Sequence, residues 1–223
     1  MGADPAGGRI GWEPAPEQGW VAPHITSEFP GLGIAWVEVD AKPGKSPEPV
    51  RRRLRDLSDR TYGSQAIRLR ERPIPWAYRV FFRQIGLDPD RTRTPVEQLA
   101  LDRLHDGGFR SNGLPRDALD IAIVETGVAL RAFDADGIQG RLCIRDSAPG
   151  ESLAGMPGEL AKGTLAIADE VRPLGLLFGA TAEGLRVEKP TRRIAIAAIQ
   201  VNGVPQIAVE EALWMAASTL EAA

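Results

Sequence analysis

The chain carries a single cysteine, Cys143, and only two histidines, His24 and His105. One cysteine excludes a disulfide within the chain, and so few Cys and His side chains cannot assemble a Cys/His zinc site. Cys143 stands in the apolar run Leu142-Cys143-Ile144, which reads as a small buried hydrophobe rather than a nucleophile. Long apolar runs are missing too, and none approaches the roughly 20 residues of a membrane-spanning helix. The opening Met1-Gly2-Ala3-Asp4-Pro5 has no basic segment followed by an apolar one, so a cytoplasmic location without a secretory leader is expected.

Lysine is scarce as well. Lys42, Lys45, Lys162 and Lys189 are the only lysines, so nearly all the positive charge is guanidinium. The net charge is −3, but residues 51–110 carry +6 and the rest −9. Guanidinium groups suit bidentate phosphate contacts. Arg51, Arg52, Arg83 and Arg110 are therefore candidate RNA contacts, the alternative being ordinary solvated helix faces.

Several chemistries lack their motifs. There is no P-loop, and the glycines around Gly31 and Gly33 lack dinucleotide-binding spacing. Gly150-Glu151-Ser152-Leu153-Ala154-Gly155 is one residue too long for a nucleophile elbow. Asp134-Ala135-Asp136-Gly137 begins like a calcium loop, but its twelfth position is Arg145, so a tight turn is the expectation. Asp120 and Glu125 stand five apart, which does not place both on one helix face. No metal and no cofactor is called for.

What is present is an ordinary globular composition, 223 residues with 43% hydrophobic side chains, enough to bury a core. Residues 1–25 read as an irregular N-terminal arm, rich in Gly and Pro and carrying Trp12 and Trp20; residues 26–223 read as one domain. Leu32 to Val39 predicts the first strand. Ser46-Pro47-Glu48 predicts a helix start, with a hydroxyl cap and a proline in the first turn. A second helix is expected over 75–85, with Trp76, Val80 and Phe81 facing the core. Thr94-Pro95-Val96-Glu97 is a capping box opening a third, with Val96, Leu99 and Leu104 inward. A fourth is expected over 115–125, with Leu119, Ala122 and Ile123 buried. Short β runs follow at 140–146, 163–169, 174–178, 184–187 and 192–201, and a last helix over 208–220. Helices first and strands later predict an α+β fold.

The second half holds a spaced series: Ala132-Phe133-Asp134-Ala135-Asp136-Gly137-Ile138-Gln139-Gly140, then Gly163-Thr164-Leu165-Ala166-Ile167-Ala168-Asp169, then Gly175-Leu176-Leu177-Phe178-Gly179 and Gly184. In order and spacing it resembles the B3/B4 domain of the bacterial phenylalanyl-tRNA synthetase β subunit, which hydrolyses tRNA charged with the wrong amino acid. The resemblance runs from about Trp76 to Ala198 and includes Arg110-Ser111 and Asp120. It implies a mixed sheet flanked by helices around a central pocket that admits an amino acid and the 3′ end of tRNA. Gly175 and Gly179 are then substrate-binding candidates, the alternative being a tight strand-to-loop bend, and Ser111 and Asp120 join them.

Arg131 stands where the family often has His, and is the catalytic candidate, offering charge to a phosphate or to a developing oxyanion. Ala195 or Ile196 stands where the family has a Glu that reads a tyrosine hydroxyl. A pocket without that carboxylate lacks the partner a hydroxyl-specific site must supply. Nothing in the chain resembles an aminoacylation domain, so the resemblance implies an editing-type hydrolase acting on tRNA in trans. The alternatives are a non-catalytic module for a free amino acid or other small ligand, or a module for a protein partner, with no DNA or membrane involved.

Overall fold

The structure, a computed structural model, describes residues 15–222. In chain order the elements are β1 (Glu17–Gln18), β2 (Trp20–Val21), α1 (Pro23–Glu28), β3 (Gly33–Asp40), α2 (Glu48–Arg60), α3 (Ser64–Arg68) and α4 (Pro73–Gln84). Then come α5 (Pro95–Asp106), α6 (Arg116–Thr126), β4 (Ala129–Asp134), β5 (Cys143–Asp146), β6 (Leu165–Ala168), β7 (Pro173–Leu176), β8 (Arg193–Gln200) and α7 (Gln206–Glu221). The class is α+β. The strands divide between two four-stranded sheets, ordered β1-β3-β8-β4 and β2-β5-β6-β7. The first is antiparallel throughout; the second is mixed, β2 running parallel to β5.

The core lies around β8. Ile194 to Ile199 are all fully buried, a continuous apolar run of the kind a strand covered on both faces requires. The α6 and α7 helices pack against this sheet. Ala195, Ala197 and Ala198 on β8 and Ala212, Ala216 and Ala217 on α7 are fully buried, and such small side chains let helix and strand approach closely.

The capping box at Thr94 and Glu97 forms as expected. It also feeds a buried ion pair, because the Glu97 carboxylate accepts from Arg79 on α4 as well as from Thr94 N and Oγ1. Gly107 and Gly127 close α5 and α6 in the left-handed conformation, where glycine carries no Cβ penalty.

Some expectations change. Within the stretch expected as an irregular arm, Glu17–Gln18 forms β1 and joins the antiparallel sheet; β2 follows and joins the mixed one. Gly19, between them, must be a glycine: a Cβ there would come within 2.4 Å of Ile34 and 2.5 Å of the Leu142 carbonyl. Trp20 is exposed, and Trp12 lies outside the described residues. Ser46 does not cap α2; its hydroxyl donates instead to Asp117 at 2.6 Å. On α4 the inward residues are Ala77, Tyr78, Phe81 and Phe82, whereas Trp76 and Val80 are exposed, as is Leu104 on α5. Residues 184–187 form no strand, and β4, which the β runs omitted, is the open edge of the antiparallel sheet.

Candidate functional site

A pocket of about 510 Å³ opens between α5, α6, the free edge of β4 and the loop after β7. Its apolar wall includes Leu99, Leu119, Ile123, Leu130 and Phe178, and its charged groups are Arg93, Arg116, Asp120 and Arg131. Phe178 anchors the loop: its ring lies 4.8 Å from Phe82, 6.0 Å from Phe81 and 6.2 Å from Tyr78. That cluster fixes Gly179 and Thr181, which also line the pocket.

Arg131 sits on β4 opposite Ala197 of β8. Its guanidinium crosses to the mixed sheet, where Nη1 donates to Leu176 O at 2.8 Å and Leu177 O at 3.4 Å, and Nη2 donates to Thr181 Oγ1 at 2.8 Å. Those bonds use three of the five N–H groups an arginine carries. No carboxylate lies within ion-pairing distance among the described residues. Burial pulls its pKa down to about 10, so it remains a cation at neutral pH, held by neutral oxygens.

Asp120 projects from α6 and is 5% exposed. Arg116, one turn earlier, lies 2.8 Å from Oδ1 and 3.0 Å from Oδ2, but is aligned to donate only to Oδ2. Oδ1 is buried with no hydrogen-bond partner among the described residues. Burial pushes the carboxyl pKa up to about 6, against the pull of Arg116. A buried acceptor left open beside a pocket is a place for a ligand donor.

The two glycines have different roles. Gly179 lines the pocket. Gly175 does not; a Cβ there would stand 2.9 Å from Ala180 O and 3.2 Å from Arg131 Nη2. It makes room for the guanidinium rather than for a ligand. Ser111 is separated from Arg131 as well. Its hydroxyl donates to Asp117 at 2.5 Å, and the same fully buried carboxylate receives Asn112 N at 2.7 Å. Ser111 thus locks the loop before α6.

Two further hollows adjoin the pocket. One of about 710 Å³ is lined by Lys45, Arg51, Ser111, Asn112 and Lys189, and shares Val187 with the central pocket. The other, about 280 Å³, contains Arg103 and Arg110 and shares Leu99, Arg116 and Asp120 with it. Arg110 is paired with Asp106 at 3.1 Å, and Arg51 with Glu48 at 2.8 Å. Arg52 is exposed on α2. Arg83 lies 5.7 Å from the Trp76 ring and lines none of these hollows. Sequence reasoning missed Thr181, Arg93, Arg116, Lys45 and Lys189. For the lysines the signal was their scarcity; for Thr181 there was none.

Cys143 is fully buried, and burial pushes its thiol up to about 11, which makes it inert at neutral pH. His105 and His24 are exposed, His24 lying 2.9 Å from Asp146. Asp134 accepts from Asp136 N at 3.1 Å and from Thr191 Oγ1 at 2.6 Å, the hydrogen bonding of a tight turn. Among the described residues no group of three metal-ligating side chains converges, and no helix is long and apolar enough to cross a membrane.

Comparison with known proteins places the chain in a family. Residues 77–213 match the B3/4 domain, and the chain belongs to that domain family. The phenylalanine–tRNA ligase β subunit of Tropheryma whipplei is 32% identical over 145 residues, covering 64% of this chain and 14% of that protein. The β subunit of Streptomyces avermitilis is 34% identical over 125 residues, covering 53% of this chain and 15% of that protein. The chain therefore spans about one seventh of the length of these relatives. An N-terminal fragment of the phenylalanyl-tRNA synthetase β subunit from Pyrococcus horikoshii superposes with a TM-score of 0.43 at 14% identity, covering 92% of this chain and 52% of that one.

Proposed function

We infer that this domain hydrolyses mischarged aminoacyl-tRNA in trans, with the amino acid seated in the pocket beside Arg131. The observation that carries this reading is the guanidinium itself: a buried cation facing a 510 Å³ pocket, balanced by no carboxylate and with N–H groups unspent. Membership of the B3/4 family supports it. Water adds to the ester carbonyl, and the free N–H groups of Arg131 stabilise the oxyanion that develops. Such donors act most strongly where water is excluded. The tetrahedral intermediate then collapses, the bond from acyl carbon to ribose oxygen breaks, and that oxygen takes up the proton the water released. The products are the free amino acid and tRNA with its ribose hydroxyl restored. Asp120 is ionised above its pKa of about 6 and receives the substrate ammonium. Arg51, Lys45 and Lys189 on one side and Arg110 on the other lie where the acceptor-end phosphates pass.

The test is deacylation of a panel of purified, mischarged aminoacyl-tRNAs, with Arg131→Ala alongside. Cleavage of at least one ester above its spontaneous rate, lost in the variant, supports the reading. A second reading, a non-catalytic module for a free amino acid, draws on two facts: Arg131 already ties the two sheets together, and no histidine lines the pocket. Thermal stabilisation by a free amino acid, with every ester left intact, would favour that module.

A further inference from the structure

The free edge of β4 carries main-chain groups that no described residue uses. In an antiparallel ladder alternate residues turn both their N–H and C=O toward the same neighbour, and the bonds around β4 fix which residues those are. At its start, Ala129 N–H and Ile199 O are joined through the Tyr78 hydroxyl, so Ala129 faces β8, and with it Arg131 and Phe133. At its end Asp134 N–H points the other way and donates to Leu185 O at 3.0 Å. Leu130 and Ala132 share the parity of Asp134 and turn outward, and both line the pocket. Beyond Asp134 no described residue bonds to the outward groups of this strand. Leu130 is only 4% exposed, and buried main-chain donors and acceptors are almost always paired.

We propose that the Leu130–Ala132 edge of β4 is the rail on which the substrate's aminoacyl group docks, pairing through main-chain hydrogen bonds like a one-residue strand. This rests on the pocket reading above and adds the substrate's chemistry to it. An extended residue beside a strand donates its N–H to a carbonyl and accepts an N–H at its own carbonyl, both from one partner residue. The α-ammonium and acyl carbonyl of an aminoacyl ester supply those groups. The side chain then enters the wall formed by Leu99, Leu119, Ile123 and Phe178, which suits an uncharged, apolar amino acid. Main-chain pairing recognises what all amino acids share, while the wall selects among them.

Hydrogen exchange tests this, using as probe an adenosine carrying phenylalanine or leucine through an uncleavable amide at the 3′ position. In the free protein the Leu130 and Ala132 amides should exchange faster than those of Arg131 and Phe133, which face β8. Saturation with the probe should slow at least one of the two outward amides, the one that donates to the acyl carbonyl, by about tenfold or more. Ala132→Pro removes one outward N–H at an edge position of the kind where proline is tolerated. Where Ala132 is the amide the probe protects, this variant should weaken the probe by about tenfold, with thermal unfolding little changed. A probe that binds, protects other pocket amides and leaves Leu130 and Ala132 unaltered overturns the rail while the pocket reading stands. A probe that does not bind at all overturns both.

Discussion

Arg131 and Thr181 are joined by a 2.8 Å hydrogen bond from Nη2 to Oγ1, which ties the antiparallel sheet to the loop leaving the mixed one. The same guanidinium holds Leu176 O, so one side chain serves as inter-sheet strut and as pocket cation. The two roles separate by mutation. Arg131→Ala should lower ester cleavage by about 10²–10³-fold, the scale of a missing oxyanion donor, and lower stability by about 2–4 kcal/mol through reduced packing and orphaned acceptors. Thr181→Val removes only the second bond and should cost about 1 kcal/mol with cleavage largely retained. Urea unfolding and single-turnover deacylation of both variants measure the split. Equal loss of cleavage in the two would reduce Arg131 to a strut.

Asp120 should be a stability liability kept for function. Its folded pKa of about 6 stands above the ordinary 3.8, so the fold prefers the protonated acid. A group raised in this way contributes stability below its unfolded pKa and loses it as the pH rises through the folded one, here between about 4 and about 6. The gap corresponds to about 3 kcal/mol by neutral pH. Asp120→Asn should therefore be more stable than the parent at about pH 7.5 and nearly equal to it at about pH 4, by urea denaturation. The same variant should bind the amide-linked aminoacyl adenosine more weakly at neutral pH, since its side chain no longer carries the charge that receives an ammonium.

Local rules made much of this legible in the sequence. The capping box at Thr94 and Glu97, the helical spacing of Val209, Ala212, Leu213 and Ala216, and the turn chemistry of Asp134 depend on neighbours a few residues apart, and each is found as read. What escaped depends on partners distant in sequence. Ser46 looks like a cap until Asp117, 71 positions away, takes its hydroxyl. Trp76 is expected inside because it is large and apolar, but α4 buries Tyr78, whose hydroxyl the Ala129–Ile199 pair requires. At the site, Asp120 and Gly179 line one pocket with Arg131, while Ser111 lies in the adjoining hollow and Gly175 acts through packing. Division into two sheets was not readable either, because strand pairing is non-local and the β1–β2 segment that reaches both sheets is only a few residues long.

The buried pair of Arg79 and Glu97 should be the most sensitive electrostatic point of the helical layer. Both side chains are about 5% exposed, and the carboxylate is also held by Thr94. Glu97→Ala strands the guanidinium with only the exposed Asp90 carboxylate, 2.7 Å away, and should cost about 3–5 kcal/mol. Thr94→Ala removes the cap and one hydrogen bond to the Glu97 carboxylate but leaves the ion pair, and should cost about 1–2 kcal/mol. Joint replacement of Arg79 and Glu97 by Met and Leu should recover much of the single-variant loss, because no unpaired charge remains. Thermal and urea unfolding of the set decide this, and an additive double variant would show that the two groups do not act as a pair.

If RNA passes the pocket along the hollow that holds Lys45, Arg51 and Lys189, basic residues of the same region should differ in their effects. Arg51 lines the hollow with Lys45 and Lys189, and the three cations there face only Glu188 among its lining residues. Arg83 packs over Trp76 outside all three hollows. Removing one phosphate-binding cation should reduce the slope of log affinity against log salt by about one. Lys45→Ala and Lys189→Ala together should therefore flatten the slope for a tRNA acceptor-stem hairpin by about two, whereas Arg83→Ala should leave it unchanged. Fluorescence anisotropy across a salt series reads this directly. An unchanged slope in the double lysine variant, with the parent binding the hairpin, would move the RNA path to the Arg110 side.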